Sequence, residues 1–247
     1  MRVTVVGCAG SFPGPDSPAS CYLVEHEGFR IALDMGNGSV GALQRYVDLD
    51  QIDAVVLSHL HADHCLDMCS LYVFKRYHPE GPRRRIPVFG PSGTAARLAR
   101  AYDLPEQPGM TGEFDFVEIE PGTTALGPFT VTAARVNHPV EAFGFRVAAG
   151  HHSVVYSGDT GECDALVELA HDADLALFEA SVLDGMELPG VHMTARQAGE
   201  HAARAGVRHL VPTHLVPWHD QTLVEVQARA AFDGEITLAR SGLVIDL

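Results

Sequence analysis

The most constraining feature of this sequence is a cluster of four potential metal ligands directly after a short apolar run. Residues 54–57 are apolar, and the segment that follows reads Ser58-His-Leu-His-Ala-Asp-His64. Imidazole and carboxylate groups bind Zn²⁺ and similar divalent ions, and ligands on a loop that leaves a strand can converge on one point. Because several unpaired histidines are costly to bury together, this density indicates a metal site rather than ordinary core histidines.

Short apolar and β-branched runs recur along the chain with helical patterns between them, which predicts a mixed α/β fold. The predicted strands cover residues 3–6, 21–24, 30–33, 54–57, 129–133, 143–147, 154–156, 175–178 and 210–211, with two more near the C-terminus. A capping box at Thr194 and Gln197 predicts a helix over Ala195–Ala205, closed by Gly206, and a second helix is expected over residues 221–232.

No repeat or linker divides the sequence, so one domain over residues 1–247 is the economical interpretation. The Gly/Pro-rich stretches at residues 11–18 and 81–91 are short enough to be loops. No apolar run approaches the roughly 20 residues that a membrane span needs. The five scattered cysteines show no disulfide pattern, and the N-terminal apolar run lacks the features of a signal peptide, which favours a cytoplasmic location.

The chain has 17 basic and 32 acidic residues and a formal net charge of -15. This balance opposes the basic surface that long nucleic acids require, so a large polyanionic partner is disfavoured. A small anionic substrate is still compatible with the charge, because two bound divalent cations would attract it locally.

The segment from Ser58 to His64 resembles the HxHxDH signature of the metallo-β-lactamase superfamily. The resemblance implies an αββα sandwich of two mixed β-sheets flanked by helices, with two metal ions. In that family the first two histidines bind one ion, and the aspartate and last histidine bind the other. The corresponding residues are His59 and His61 for one ion, and Asp63 and His64 for the other.

The same family places a third histidine, a bridging aspartate and a final histidine at later strand ends. Candidates follow in that order as His138, Asp159 and His214. Each of them alone would more often be an ordinary polar residue, but their order supports ligation. Asp34 also follows an apolar run and matches a carboxylate that similar proteins keep near the site, so a supporting role is expected for it.

Two further segments, Phe178-Glu-Ala-Ser181 and Val191-His-Met-Thr-Ala195, resemble the branch that contains tRNase Z and related phosphodiesterases. In that branch the Glu and His form a proton relay, which implies that Glu179 stabilises His192 while His192 assists the leaving oxygen. The alternative is that Glu179 is a solvated strand end and His192 merely precedes a helix. The turn Asn137-His138-Pro139 differs from the Gly-His-Thr-x-Gly type of the β-lactamase and glyoxalase branches.

The basic arm with which tRNase Z grips tRNA has no room here, because the intervals from His138 to Asp159 and from Asp159 to Glu179 are short. The segments Val5-Val-Gly-Cys-Ala-Gly-Ser11 and Phe74-Lys-Arg-Tyr-His-Pro79 belong to a nearly end-to-end resemblance to actinobacterial proteins described as atypical cyclic-nucleotide phosphodiesterases.

The resulting hypothesis is a phosphoric diester hydrolase that opens 3',5'-cyclic nucleotides, such as cyclic AMP, to 5'-monophosphates through a metal-bridging hydroxide. Zinc is the expected metal, with manganese or iron as alternatives, and Asp63, Glu179 and His192 are the expected catalytic residues. The competing hypotheses are a tRNase Z-like RNA 3'-end endonuclease, an iron-dependent sulfur oxygenase and an inactive metal-binding scaffold. The expected partner is a small phosphodiester, without long nucleic acid or membrane, and a homodimer is possible.

Two groups of residues outside this pattern have more than one interpretation. Lys75, Arg76 and the run Arg83-Arg-Arg85 are expected to form a solvated face rather than to guide phosphate. Trp218 could stack on a base, although a lone aromatic residue after a strand is as often a packing residue.

Overall fold

The computed structural model describes the whole chain, Met1 to Leu247, and contains fourteen strands in two sheets. The strands are β1 (Arg2–Gly7), β2 (Cys21–His26), β3 (Phe29–Leu33), β4 (Ala54–Val56), β5 (Ile86–Gly90), β6 (Phe114–Glu118), β7 (Gly122–Leu126), β8 (Phe129–Arg135), β9 (Phe143–Ala149), β10 (His152–Tyr156), β11 (Leu175–Glu179), β12 (His209–Thr213), β13 (Glu235–Ile236) and β14 (Val244–Asp246). The helices are α1 (Ser39–Leu43), α2 (Ala62–Cys65), α3 (Met68–Tyr77), α4 (Thr94–Ala101), α5 (Asp164–Leu169), α6 (Ala195–Ala205) and α7 (Gln221–Arg229), with a short 3₁₀ turn at Leu49–Gln51.

Each sheet has seven strands and mixes antiparallel with parallel pairing. The first sheet has the order β14-β1-β2-β3-β4-β5-β6, antiparallel from β14 to β3 and parallel from β3 to β6. The second has the order β13-β12-β11-β10-β9-β8-β7, antiparallel from β7 to β10 and parallel from β10 to β13. The carboxyl ends of the parallel strands in each sheet therefore lie along one edge.

Both faces of each sheet are buried because successive side chains on a strand point to opposite sides. On β11, Leu175 and Leu177 lie in the core between the sheets, whereas Ala176 and Phe178 pack in a separate core with helices α5, α6 and α7. On β2, Leu23 likewise belongs to a third core between the first sheet and helices α1 to α4. These three cores confirm the predicted αββα sandwich.

The segment 81–91 is not a continuous loop, because Ile86–Gly90 forms β5 in the first sheet. The sequence-based prediction of a loop is wrong for these residues, because the glycines and prolines of this stretch do not prevent strand formation. Pro87 is tolerated because it lies at the start of the strand, before the pairing with β4 begins at Val88.

The predicted capping box of α6 is confirmed. The Thr194 hydroxyl accepts a hydrogen bond from the Gln197 amide at 3.2 Å, and the Gln197 side chain accepts one from the Thr194 amide at 2.8 Å. Gly206 ends the helix with a left-handed φ of 68°. Helix α7 ends at Arg229, a little before the predicted boundary. None of the helices combines the length and hydrophobicity needed to cross a bilayer, and all five cysteines are free thiols.

The basic residues near β5 lie far from the segments that carry the potential ligands. Lys75 was expected on a solvated face, but it is fully buried, and its ammonium group donates a hydrogen bond to the Arg84 carbonyl at 2.6 Å. Arg83, Arg84 and Arg85 each pair with an aspartate, and they precede β5, whereas the ligands follow the opposite end of its parallel neighbour β4. These arginines are therefore not at the entrance to the site.

We expect the core between the sheets to provide much of the stability. Leu177→Ala, at a fully buried position in that core, should lower the free energy of unfolding by about 2–5 kcal/mol because it leaves a cavity. Val226→Ala, on the exposed side of α7, is the matched control and should change it by less than about 0.5 kcal/mol. Chemical denaturation of both variants measures the difference, and equal effects would contradict this account of the core.

Candidate metal centre

All the predicted ligands lie at one edge of the sandwich, where the carboxyl ends of parallel strands from both sheets meet. His59 follows β4 in the first sheet, while Asp159 and His214 follow β10 and β12 in the second. The two sheets are joined at this edge by a backbone hydrogen bond of 3.0 Å from the Phe143 amide to the Ser58 carbonyl. The fold thus brings together residues that are distant in sequence.

Three histidines form a first cluster in which ring nitrogens face one another. His59 Nε2 lies 3.0 Å from His61 Nδ1, and His138 Nε2 lies 3.3 Å from the same His61 atom. The Nδ1 of His138 donates a hydrogen bond to the Val191 carbonyl at 2.8 Å, which leaves the Nε2 lone pair free to bind a metal ion. Burial, reinforced by the neighbouring His64, lowers the pKa of His59 and favours the neutral, metal-binding form.

A second cluster contains Asp63, His64 and His214. His64 Nε2 and His214 Nε2 lie 3.3 Å apart, and His214 Nε2 lies 3.1 Å from Asp63 Oδ2. The two imidazoles are almost completely buried, and the Asp63 carboxylate is only slightly exposed. This cluster combines two imidazoles and a carboxylate, a donor set that suits a divalent transition-metal ion.

Asp159 lies between the clusters and faces each of them with a different oxygen. Its Oδ2 is 3.7 Å from His59 Nε2, and its Oδ1 is 3.2 Å from His64 Nε2. Although Oδ1 is buried, it makes no hydrogen bond. A buried carboxylate oxygen without a hydrogen-bond donor is uncommon in proteins, and a cation bound beside Oδ1 would satisfy it. The arrangement therefore fits two cations that share Asp159.

Asp34 supports one ligand in each cluster, as expected from its position after β3. Its Oδ2 accepts hydrogen bonds from His64 Nδ1 at 2.7 Å, from the Tyr156 hydroxyl at 2.6 Å and from the Ser58 hydroxyl at 2.7 Å. The Ser58 oxygen in turn lies 3.1 Å from His59 Nδ1 and can accept its proton. These contacts fix the ring orientations that turn both Nε2 atoms toward the ligand clusters.

Glu179 is completely buried and uses both carboxylate oxygens, so it is not the solvated strand end of the alternative interpretation. Its Oε1 accepts hydrogen bonds from His192 Nδ1 at 2.9 Å and from the Thr160 amide at 2.8 Å. Its Oε2 accepts one from the Ser181 hydroxyl at 2.8 Å, and the Ser181 oxygen lies 2.6 Å from His214 Nδ1. Glu179 therefore contacts His192 directly and the candidate ligand His214 through Ser181.

His192 lies over the edge of both clusters and keeps some contact with solvent. Its ring is stacked on His214 with centroids 5.5 Å apart, and it lies 5.6 Å from the His138 ring. Burial opposes protonation of His192, but the hydrogen bond and charge of Glu179 outweigh this effect and raise its pKa to about 9. The side chain is therefore equipped to hold a proton at neutral pH.

Three supporting residues were not predicted from the sequence: Ser58, Tyr156 and Ser181. Ser58 directly precedes His59, and Ser181 follows Glu179 by two residues. A hydroxyl at either position was therefore only a weak sequence signal for a supporting role. Tyr156 points inward on β10, as its position in the alternating pattern requires, but its bond to Asp34 crosses from one sheet to the other. That contact depends on how the two sheets pack.

Comparisons with known proteins agree with this fold. Residues 30–215 match the family model described as the Beta-lactamase superfamily domain. This match covers most of the chain, which therefore belongs to the metallo-β-lactamase superfamily. It is a metal-dependent hydrolase within that superfamily, as predicted.

Individual relatives extend over nearly the whole length of the chain. An uncharacterized protein of Mycobacterium leprae (strain TN) is 43% identical over 260 residues, covering 100% of this chain and 89% of the relative. The probable metallo-hydrolase YhfI of Bacillus subtilis (strain 168) is 31% identical over 248 residues, covering 99% of both proteins. Its crystal structure has a TM-score of 0.88 at 28% identity and covers 99% of this chain and 98% of YhfI. Human tRNase Z, short form, shares the fold with a TM-score of 0.77 at 22% identity, over 100% of this chain and 99% of the human one.

The position of Asp159 predicts how its removal affects metal content. Asp159→Ala should reduce occupancy at both sites together, because each cluster loses a carboxylate oxygen. Elemental analysis of protein purified without chelator provides the measurement. Asp164→Ala, at an exposed surface pair with Arg204, is the matched control and should retain the full content. Loss of one metal with full retention of the other would show that Asp159 does not bridge.

Proposed function

We propose that the chain is a phosphodiesterase with two divalent metal ions that opens 3',5'-cyclic nucleotides, such as cyclic AMP, to 5'-monophosphates. The observation that supports it most strongly is the pair of His192 and buried Glu179 next to two ligand clusters that share Asp159. In this proposal His192 is the proton donor, and a phosphate would bind at the two ligand clusters beside it.

The proposed ligands are His59, His61 and His138 for one ion and Asp63, His64 and His214 for the other, with Asp159 shared. Zinc suits this mixture of imidazole and carboxylate donors, with manganese or iron as alternatives. Divalent ions held there would activate a water molecule and stabilise negative charge on the phosphate oxygens. An iron-dependent sulfur oxygenase would use a single iron, and the paired clusters favour hydrolysis over that alternative.

The protein residues would guide the proton transfers. Asp63 would accept a hydrogen bond from the attacking water and orient it toward phosphorus. As the oxygen of water bonds to phosphorus and the water releases one proton to solvent, the bond between phosphorus and the ribose 3' oxygen breaks, and His192 donates a proton to that oxygen. Glu179 stays hydrogen-bonded to His192 Nδ1, so its charge stabilises the protonated ring before transfer and holds the ring in place.

The charge distribution favours a small substrate over a long RNA. The net charge is -15, the single lysine is buried, and the three arginines of the run at 83–85 are ion-paired. A protein that follows an RNA backbone needs several unpaired cations along its surface. A single phosphate bound by two metal ions needs little other positive charge.

The connections between the ligand segments also favour a small substrate over a long RNA. His138 is followed directly by β9 and β10, which lead to Asp159, and only the short helix α5 precedes β11 and Glu179. No protruding arm is inserted in either interval. The fold is nevertheless shared with human tRNase Z, so a tRNA precursor is the competing substrate that an assay must include.

The role of His192 can be tested separately from metal binding. His192→Ala should keep both metals but lower kcat about a hundredfold or more, the usual effect of losing a general acid. The loss should be smaller for a substrate with a good leaving group, such as bis-p-nitrophenyl phosphate. His171→Ala, at an exposed histidine remote from the site, is the matched control. Equal losses on activated and natural substrates would show that His192 only positions the substrate.

The substrate class can be tested by assaying several phosphodiesters with one protein preparation whose metal content has been measured. We expect turnover of cyclic AMP and cyclic GMP with modest selectivity between the bases, and little action on a tRNA precursor, because the negative charge of the chain opposes binding of the RNA backbone. A 2',3'-cyclic nucleotide completes the panel as a test of the phosphate position. Efficient tRNA trimming with negligible hydrolysis of cyclic AMP would overturn the proposed substrate while leaving the metal centre unaffected.

A further inference from the structure

Two aromatic side chains are exposed side by side next to the metal centre. Phe12 is 39% exposed and Trp218, the only tryptophan in the chain, is 69% exposed. Their ring centroids lie 5.0 Å apart with an angle of 33° between the planes. An exposed aromatic pair of this kind offers a planar surface on which a ligand ring can stack.

Both aromatic residues are carried by loops that contact the ligand His214. Phe12 directly follows Ser11, whose amide nitrogen lies 3.3 Å from His214 Nε2. Trp218 lies on the loop that begins at His214, immediately after β12. The aromatic pair therefore adjoins the second ligand cluster.

The two loops are fixed to each other by backbone hydrogen bonds. The Leu215 amide donates to the Cys8 carbonyl at 2.8 Å, and the Gly10 amide donates to the Leu215 carbonyl at 3.0 Å. Gly10 is required here, because a Cβ at that position would lie 2.5 Å from the His214 carbonyl oxygen. The loops thus present the aromatic pair in a preformed arrangement, which lowers the entropic cost of ligand binding.

We propose that Phe12 and Trp218 form the binding site for the nucleobase of the substrate, with the base stacked on Trp218. This inference rests on the proposed phosphodiesterase function. A phosphate held at the ligand clusters leaves its nucleoside close to His214, and the aromatic pair is the exposed planar surface beside that residue. Stacking on aromatic rings tolerates any base, which agrees with the modest base selectivity expected here.

The single tryptophan gives a direct binding assay that does not depend on turnover. Titration of the metal-loaded protein with 5'-AMP should quench the fluorescence of Trp218, because the adenine stacks on the indole. Ribose 5-phosphate, which has the phosphate and sugar but no base, should bind without comparable quenching. Equal quenching by the two compounds, or none by 5'-AMP, would overturn the proposal.

Kinetics of Trp218 variants give the second test. Trp218→Ala should raise KM for cyclic AMP about tenfold or more with little change in kcat, because stacking is equally strong before and during the reaction. The base-free methyl riboside 3',5'-cyclic phosphate should show no such change, and Trp218→Phe should restore most of the affinity. Tyr77→Ala, at an exposed aromatic residue at the end of α3, is the matched control.

The outcomes separate this inference from the function on which it rests. In one outcome the wild-type protein does not turn over cyclic AMP, while 5'-AMP, but not ribose 5-phosphate, quenches Trp218. That result would contradict the proposed substrate and support the base site. If cyclic AMP is hydrolysed and Trp218→Ala leaves its KM unchanged, the base site is wrong and the function stands. Conversion of a dimer to a monomer by Trp218→Ala, with KM unchanged, would instead identify the pair as a contact between two copies.

Discussion

The electrostatic conflict inside the ligand clusters is the constraint on which the rest of the structure depends. Imidazole nitrogens face one another at 3.0–3.3 Å, and the Asp159 carboxylate stands between them with one buried oxygen that makes no hydrogen bond. Where neither nitrogen of such a pair carries a proton, the two lone pairs face each other in a low-dielectric environment, and a cation between them would satisfy both. The surrounding fold holds these groups in place, so a cation bound among them would stabilise this edge of the sandwich.

The supporting hydrogen bonds explain why the site needs both sheets. Asp34 belongs to the first sheet but accepts a hydrogen bond from Tyr156 of the second, while it also orients His64. On the other side, Glu179 holds His192 directly and reaches a ligand through Ser181. A change in the packing between the sheets would therefore move the ligands of both clusters and the proposed proton donor together.

The sequence predicted the features that depend on neighbouring residues. The apolar run before His59 and the capping box of α6 are local signals, and the fold class followed from the order of such signals together with the family resemblance. The contacts that were missed join residues far apart in the chain, as Tyr156 does with Asp34. Local composition also misled the prediction at β5, where proline suggested a loop, and at Lys75, whose burial depends on a carbonyl supplied by a later segment.

The residues that would select a substrate lie outside the ligand signature. The strand ends fix the ligands, and this arrangement serves many reactions in one superfamily, so it cannot alone define the molecule that binds. We expect selection to depend on the loops that surround the centre: the one carrying Phe12, the one carrying Trp218 and the one leading to His192. The loop carrying Phe12 is joined by backbone hydrogen bonds to the loop that begins at His214, and the Val191 carbonyl of the third loop accepts a hydrogen bond from His138. Changes of sequence in these loops can therefore alter substrate choice while the metal-binding geometry is preserved.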